Sequence, residues 1–385
     1  MPATEQSFRV AIIGAGLSGL YAAHLLQQAG IVDCIVLEAR DGLGGRILSL
    51  PAPGLSPSVG TPQTADRFDL GPSWFWPAYQ QELDLLVDSL GLQRFEQFEQ
   101  GDMVVERSRH EPPLRTRGYL SSPPSMRLLG GMAALVDALH CRLDATRILT
   151  AHAVRRARCT AGGIELDTLS PCGQMTTWQA EHLLLALPPR LAAESIAFTP
   201  PLPPALLQQW RATPTWMAPH AKYVALYDTP FWREQGLSGA ARSAVGPLGE
   251  IHDASMPGGS AALFGFFGLP AHIRQGLEED VLRSHCRAQL ARLFGPQAGA
   301  PRAEFIKDWA SDPCTTTEAD LDASGQHAQA PAAAPTSGLW SGRLTGIASE
   351  WSPQFPGYLA GAIEGARLGT AALVAAAAAR PAQGR

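Results

Sequence analysis

Six residues near the start of the chain, Gly14-Ala15-Gly16-Leu17-Ser18-Gly19, have the spacing of a loop that holds a diphosphate. In such a loop Gly14 permits a tight turn. Gly16 lets backbone N–H groups come close to the diphosphate at a helix N-terminus, and Gly19 lets that helix press on the preceding strand. Glu38 follows at about the twenty-residue distance where a carboxylate accepts both hydroxyls of a ribose. Together they predict a dinucleotide site; a turn that merely needs glycines is the plain alternative. Ser18 lies between strand and helix, but Gly19 follows it directly, so the spacing of a nucleophilic serine elbow is not met. A second signal lies in the basic residues: of the 30 Lys and Arg, only Lys222 and Lys307 are lysine. Lys222 sits inside an apolar run, where a guanidinium could neither lose its proton nor replace a compact ammonium. A strand lysine turned toward solvent is the competing reading. The six cysteines are scattered without a CxxC pair or nearby His ligands, and HExxH is absent, so zinc chemistry is not expected.

Positioning these groups calls for a β–α–β start. Arg9 to Ile13 reads as a strand, Leu17 to Gln28 as a helix and Ile31 to Leu37 as a second, buried strand. Pro51 to Pro62 reads as an excursion loop, Phe68 to Leu70 as a short strand and Gln81 to Leu90 as an amphipathic helix. Gly130-Gly131 opens a helix over Met132 to Leu139, followed by alternating strands from Ile148 to Leu187, the last over His182 to Leu187. Aromatic residues then gather between Pro200 and Phe267. Leu277 to Phe294 is a long helix, Ala328 to Ser337 a loop, Leu339 to Ala348 a strand region, and a last helix starts at Leu359.

The segment Glu38-Ala39-Arg40-Asp41-Gly42-Leu43-Gly44-Gly45-Arg46 resembles the flavin amine oxidase family, which includes monoamine, polyamine and L-amino acid oxidases. In that family the ribose-binding Glu is followed by a second glycine pair and an Arg along the FAD pyrophosphate, which implies FAD rather than a loose nicotinamide. The resemblance runs along nearly the whole chain. Asp69-Leu70-Gly71-Pro72-Ser73-Trp74 is similar to the turn beside the flavin ring, and Gly130-Gly131-Met132 to a helix start. Val154 is similar to a residue whose backbone pairs with the adenine, and Leu187-Pro188-Pro189 to a strand end. Ser349-Glu350 with Pro356-Gly357-Tyr358-Leu359 resembles the closing motif. It implies Glu350 on the ribityl or pyrophosphate side, and a helix whose N-terminal dipole stabilises negative charge on the flavin. By the same resemblance Lys222 holds a water against the reactive flavin nitrogen, Tyr358 is one wall of an aromatic cage for the amine, and Trp309 lies near the ring. The chain departs from the family at Ser311-Asp312-Pro313-Cys314, where no aromatic residue supplies a second cage wall; that wall is either missing or supplied elsewhere, by Trp74, Trp76 or Phe355. The surroundings of Cys314 differ from those of the cysteine that some relatives bond to FAD, so non-covalent FAD is expected. Ile347-Ala348-Ser349-Glu350 replaces Ala-Gly-Thr-Glu and keeps the carboxylate.

The implied activity is an FAD-dependent amine oxidase: an amine becomes an imine and molecular oxygen becomes hydrogen peroxide. Two alternatives stay open, an FAD dehydrogenase or desaturase on a non-amine substrate and a catalytically silent flavin-binding protein. The expected fold class is α/β, a Rossmann-type FAD-binding domain with a discontinuous α+β substrate domain. Residues 1–75, 126–189 and 306–385 are assigned to the first, and 76–125 and 190–305 to the second. A net charge of −5 gives no electrostatic reason to expect nucleic acid or an anionic membrane. No apolar run reads as bilayer-spanning, Met1 to Phe8 carries no secretory signal, and the scattered cysteines suit a reducing cytoplasm. The oligomeric state is not legible.

Overall fold

The computed structural model describes residues 7–53, 66–321 and 328–379. Most of the expected excursion loop and the first six residues lie outside them. The chain forms two compact units, one of Met1–Arg46, Leu135–Ala218 and Pro313–Arg385, the other of Ile47–Ala134 and Pro219–Asp312.

The first unit is built on an 8-stranded sheet. Strand Ser7–Ile13 runs parallel to Cys34–Leu37 on one side and to Met175–Leu185 on the other. Cys34-Ile35-Val36-Leu37 is buried along its whole length, as a parallel strand covered on both faces must be. That strand is shorter than expected, because the chain leaves helix Leu17–Gln28 through Gly30 and spends Val32 and Asp33, both exposed, on the return. The last helix, Leu359–Ala379, packs on Leu17–Gln28. Its glycines at four-residue spacing explain the closeness to the backbone it crosses: a Cβ would lie 2.0 Å from the Phe355 carbonyl oxygen at Gly361, 2.6 Å from that of Ile347 at Gly365, and 2.3 Å from the Ile347 side chain at Gly369. By length and composition the stretch Leu359–Ala376 is apolar enough to cross a membrane, which corrects the sequence reading; 56% of it is buried inside the protein.

In the second unit a 7-stranded sheet runs in the order Ala303–Asp308, Ala221–Tyr227, Ala261–Phe267, Leu248–Asp253, Leu237–Ser243, Asp102–Glu106 and Leu114–Arg117. Both faces of strand Ala221–Tyr227 are covered. Tyr223, Ala225 and Tyr227 pack in one core with Leu282, Cys286 and Leu290 of helix Glu279–Phe294. Val224 and Leu226 pack in another with Phe68, Leu70 and Phe264. Strand periodicity puts Lys222 on the same side as Val224 and Leu226.

The unit boundaries differ from those read in the sequence. Residues 190–218 carry part of the aromatic-rich stretch, yet they belong with the first sheet: Ala192, Ile196, Leu206 and Trp210 share its core, and the Trp210 indole donates to the Ala332 carbonyl at 2.8 Å. Strands Ser49–Pro51 and Arg67–Asp69 pair with each other and place Phe68 and Leu70 in the core of the second unit.

Candidate active site

The first unit holds the glycine loop. Gly14 has φ +103°, and a Cβ there would lie 2.7 Å from the Ala186 carbonyl oxygen; at Gly19 it would lie 1.9 Å from that of Gly14. Both are glycine because the protein leaves no room. Gly16 is different: a Cβ there would meet nothing nearer than 3.8 Å, so packing does not demand glycine, and a side chain would fill open space at the start of helix Leu17–Gln28. That helix has neither a side-chain cap nor an acidic residue in its first turn, so no side chain of its own first turn occupies its N–H groups. A turn that only needed glycines would not require Gly16. The Ser18 hydroxyl is committed inward to the Ile347 carbonyl, which leaves its backbone N–H to offer a phosphate.

Glu38 ends the second strand and is buried. One carboxylate oxygen accepts from the Ala15 N–H at 2.7 Å and the other from the Arg40 N–H at 2.8 Å. Each oxygen keeps a further lone pair, which suits paired ribose hydroxyls. Ala39 is exposed beside it, and the Arg40 guanidinium donates to the Thr315 hydroxyl at 2.9 Å. The His152 N–H donates to the Glu38 carbonyl and leads into the strand of Val154, whose side chain is in the core. Gly44 bridges to Gly16, and a Cβ at Gly45 would lie 3.3 Å from the Gly16 Cα, so the second glycine pair keeps the same space clear. Arg46 and Glu350, 304 residues apart, form a two-pronged ion pair backed by Ser349. Burial acts to raise the Glu350 carboxyl, but the Arg46 charge and hydrogen bonds hold it below the usual range. Leu359 opens the last helix, and Tyr358 just before it is 41% exposed, its N–H donating to the Phe355 carbonyl. These donors and acceptors fit a dinucleotide: an uncapped helix N-terminus and a cation for the diphosphate, and a carboxylate for the ribose.

The second unit holds Lys222, which is 1% exposed, and this removes the reading of a solvent-facing lysine. Its ammonium donates to the Gly71 carbonyl at 3.0 Å and to the Ser73 hydroxyl at 2.6 Å. It lies 4.0 Å from the centre of the Phe264 ring and 5.3 Å from that of Phe266, the latter its partner across the sheet. Burial lowers its pKa from the ordinary lysine range to about 7, with Asp69 opposing and Arg127 adding to the shift. A lysine so placed can gain or lose a proton at neutral pH. The Trp309 indole, fully buried, donates to the Leu70 carbonyl at 3.0 Å, so Leu70, Gly71 and Ser73 are all held by residues of the second sheet or its margin. Pro72 and Trp74 are half-buried; the Trp74 indole donates to Gln97 at 2.8 Å, and its ring packs on His252 and Phe264. Cys314 is half-buried, and no disulfide joins the six cysteines.

Sequence reasoning passed over Phe264, Phe266, Arg127 and the carboxylate of Asp69. The one signal available for Arg127 was a charge in the otherwise apolar strand Met126–Leu128.

The family model described as flavin containing amine oxidoreductase matches residues 113–374, and that of an NAD(P)-binding Rossmann-like domain matches residues 12–90. The chain belongs to the flavin containing amine oxidoreductases. It is an FAD flavoprotein and an oxidoreductase of the amine oxidase class. Relatives within this family include a probable flavin-containing monoamine oxidase A of Dictyostelium discoideum, 24% identical over 93% of this chain and 95% of that protein. The putrescine oxidase of Kocuria rosea is 24% identical over 83% and 86%. Solved structures share the fold: a putrescine oxidase bound to putrescine, at 21% identity and TM-score 0.74 over 98% of this chain and 100% of that one, and a cyclohexylamine oxidase from Brevibacterium oxydans, at 19% identity and TM-score 0.76 over 96% and 99%.

Proposed function

We propose that this amine oxidoreductase oxidises a small amine to an imine, which water hydrolyses, and passes the electrons to molecular oxygen to give hydrogen peroxide. The observation that carries the reading is Lys222: a buried, nearly neutral-titrating ammonium held by Gly71 and Ser73 against two phenylalanine rings. FAD, when bound, supplies the acceptor for the hydride that leaves the carbon beside nitrogen. The chain supplies the rest. The N–H groups at the start of helix Leu17–Gln28 and the Arg46 guanidinium hold the diphosphate, and Glu38 holds the ribose. Arg46 shares its charge with Glu350, and the uncapped helix N-terminus adds its dipole to the positive field. Lys222 holds a proton, or a water, at Nζ, and burial keeps bulk water from that ammonium. Tyr358, with its ring partly open, offers a face to the arriving amine. For the setting we keep the reading that scattered cysteines without paired spacing suit a reducing cytoplasm.

The test is anaerobic mixing of the yellow protein with a panel of amines while following flavin absorbance. Bleaching by one class supports the reading, and the speed at which colour returns in air separates oxidase from dehydrogenase. If no amine bleaches the flavin while dithionite does, a non-amine substrate takes its place. Lys222→Met is expected to slow flavin reduction or reoxidation at least tenfold; unchanged rates in both would remove Lys222 from the chemistry. An acceptor other than oxygen is the second reading, favoured by 26% identity over 65% of this chain to an L-amino acid dehydrogenase of Synechocystis.

A further inference from the structure

Asp69 begins the turn that receives Lys222, and it looks at first like a helix cap. One carboxylate oxygen accepts from the Met132 N–H at 2.8 Å and from the Ser49 hydroxyl at 2.5 Å, where the chain enters helix Ala133–His140. A cap needs no more than that, and Asn or Ser would serve equally. The second oxygen, Oδ2, is buried and has no hydrogen-bond partner among the described residues. A carboxylate oxygen left so is rare, and burying its charge is costly unless an opposite charge balances it.

We propose that Asp69 is the internal counter-ion that sets how readily Lys222 holds its proton, and is thus a positioning residue for the chemistry assigned to Lys222. Two residues after Asp69 the same turn presents the Gly71 carbonyl to the Lys222 ammonium, and four residues after it the Ser73 hydroxyl. The opposing charge is Arg127, which is 3% exposed. Its two terminal nitrogens donate to the carbonyls of Ser255 and Ala254, while its Nε is buried without a partner among the described residues. Asp69 favours the charged form of Lys222 and Arg127 opposes it. The other charged groups nearby are paired with one another. Asp253 is bonded to Arg233, Glu250 to Arg242 and His252, and Lys307, directly across the sheet from Lys222, to Asp312 at 2.7 Å. Phe264 and Phe266 bring no charge. The ammonium therefore answers chiefly to one carboxylate and one guanidinium.

The proposal rests on Lys222 as the acting group, but its test does not. Because the chain has two lysines, FAD-loaded protein labelled with 13C at the lysine ε-carbon gives two resonances. Lys222→Met assigns one, and Lys307 is the internal reference. Asp69→Asn and Asp69→Ser each keep an oxygen for the Met132 N–H and remove the charge. Either is expected to move the Lys222 titration down by about one pH unit or more, and Arg127→Gln to move it up. The pH dependence of flavin reoxidation should follow in the same directions. A Lys222 titration that stays in place in whichever Asp69 variant folds makes Asp69 a cap and overturns the proposal. Shifted titrations alongside unchanged kinetics in Lys222→Met would leave the counter-ion in place and overturn the catalytic reading instead.

Discussion

Lys222 carries a charge on a sheet face otherwise made by Val224, Leu226, Phe264 and Phe266. Since burial holds its pKa near 7 against an ordinary value of 10.5, the unfolded chain binds a proton between those limits that the folded chain does not. Stability therefore rises with pH across that window; below about pH 7 both states are protonated and the cost of burying the charge is constant. Lys222→Met lacks this term. It is expected to withstand more urea than the parent at pH 6, with the margin narrowing toward pH 10, as read from unfolding midpoints at both pH values. An equal margin at both would mean that Lys222 titrates as it does in the open chain. Lys222 was legible in the sequence because a chain that uses arginine almost everywhere keeps a lysine there. Its surroundings were not legible. Asp69, Arg127 and the pair Phe264 and Phe266 come from three separate segments, and only the pairing of distant strands brings them to one ammonium.

Among elements, helix Leu17–Gln28 has the bounds that the glycine loop and the hydrophobic period predict, because its start is set by Gly16 and its end by Gly30, both local signals. The final helix shows what local signals miss. Its start at Leu359 is legible from the closing motif, whereas the purpose of Gly361, Gly365 and Gly369 lies in the segment they cross, Ile347 to Phe355. Gly365→Ala would put a methyl group 2.6 Å from the Ile347 carbonyl oxygen. Relieving that overlap is expected to cost about 1–3 kcal/mol, seen as a lower urea midpoint. An unchanged midpoint would mean that the helix can move off the chain beneath it at no cost.

At the scale of the molecule, each unit has its own sheet and its own core, and each is assembled from separate stretches of sequence. The sequence reading put residues 190–218 with the second unit, whereas Ala192, Ile196, Leu206 and Trp210 share the core of the first; aromatic richness says nothing about which sheet a tryptophan will serve. The residues proposed to hold the diphosphate and the ribose lie together in one unit, so FAD binding there should stabilise the folded chain by mass action. Free FAD at about a hundred times its dissociation constant is expected to add about 2.7 kcal/mol, measured as a rise in the melting temperature of cofactor-stripped protein. A melting temperature indifferent to FAD would count against the glycine loop as its binding place. The two lysines also decide how the protein meets acylating agents. Lys307 is tied to Asp312 on the edge strand Ala303–Asp308, and Lys222 lies sealed one strand further in. Reagents and enzymes that acylate lysine thus meet only the partly exposed, ion-paired Lys307 on the native molecule. It keeps its positive charge through arginine, which they leave alone, and acylation of Lys222 becomes a record of how often that sheet edge comes open.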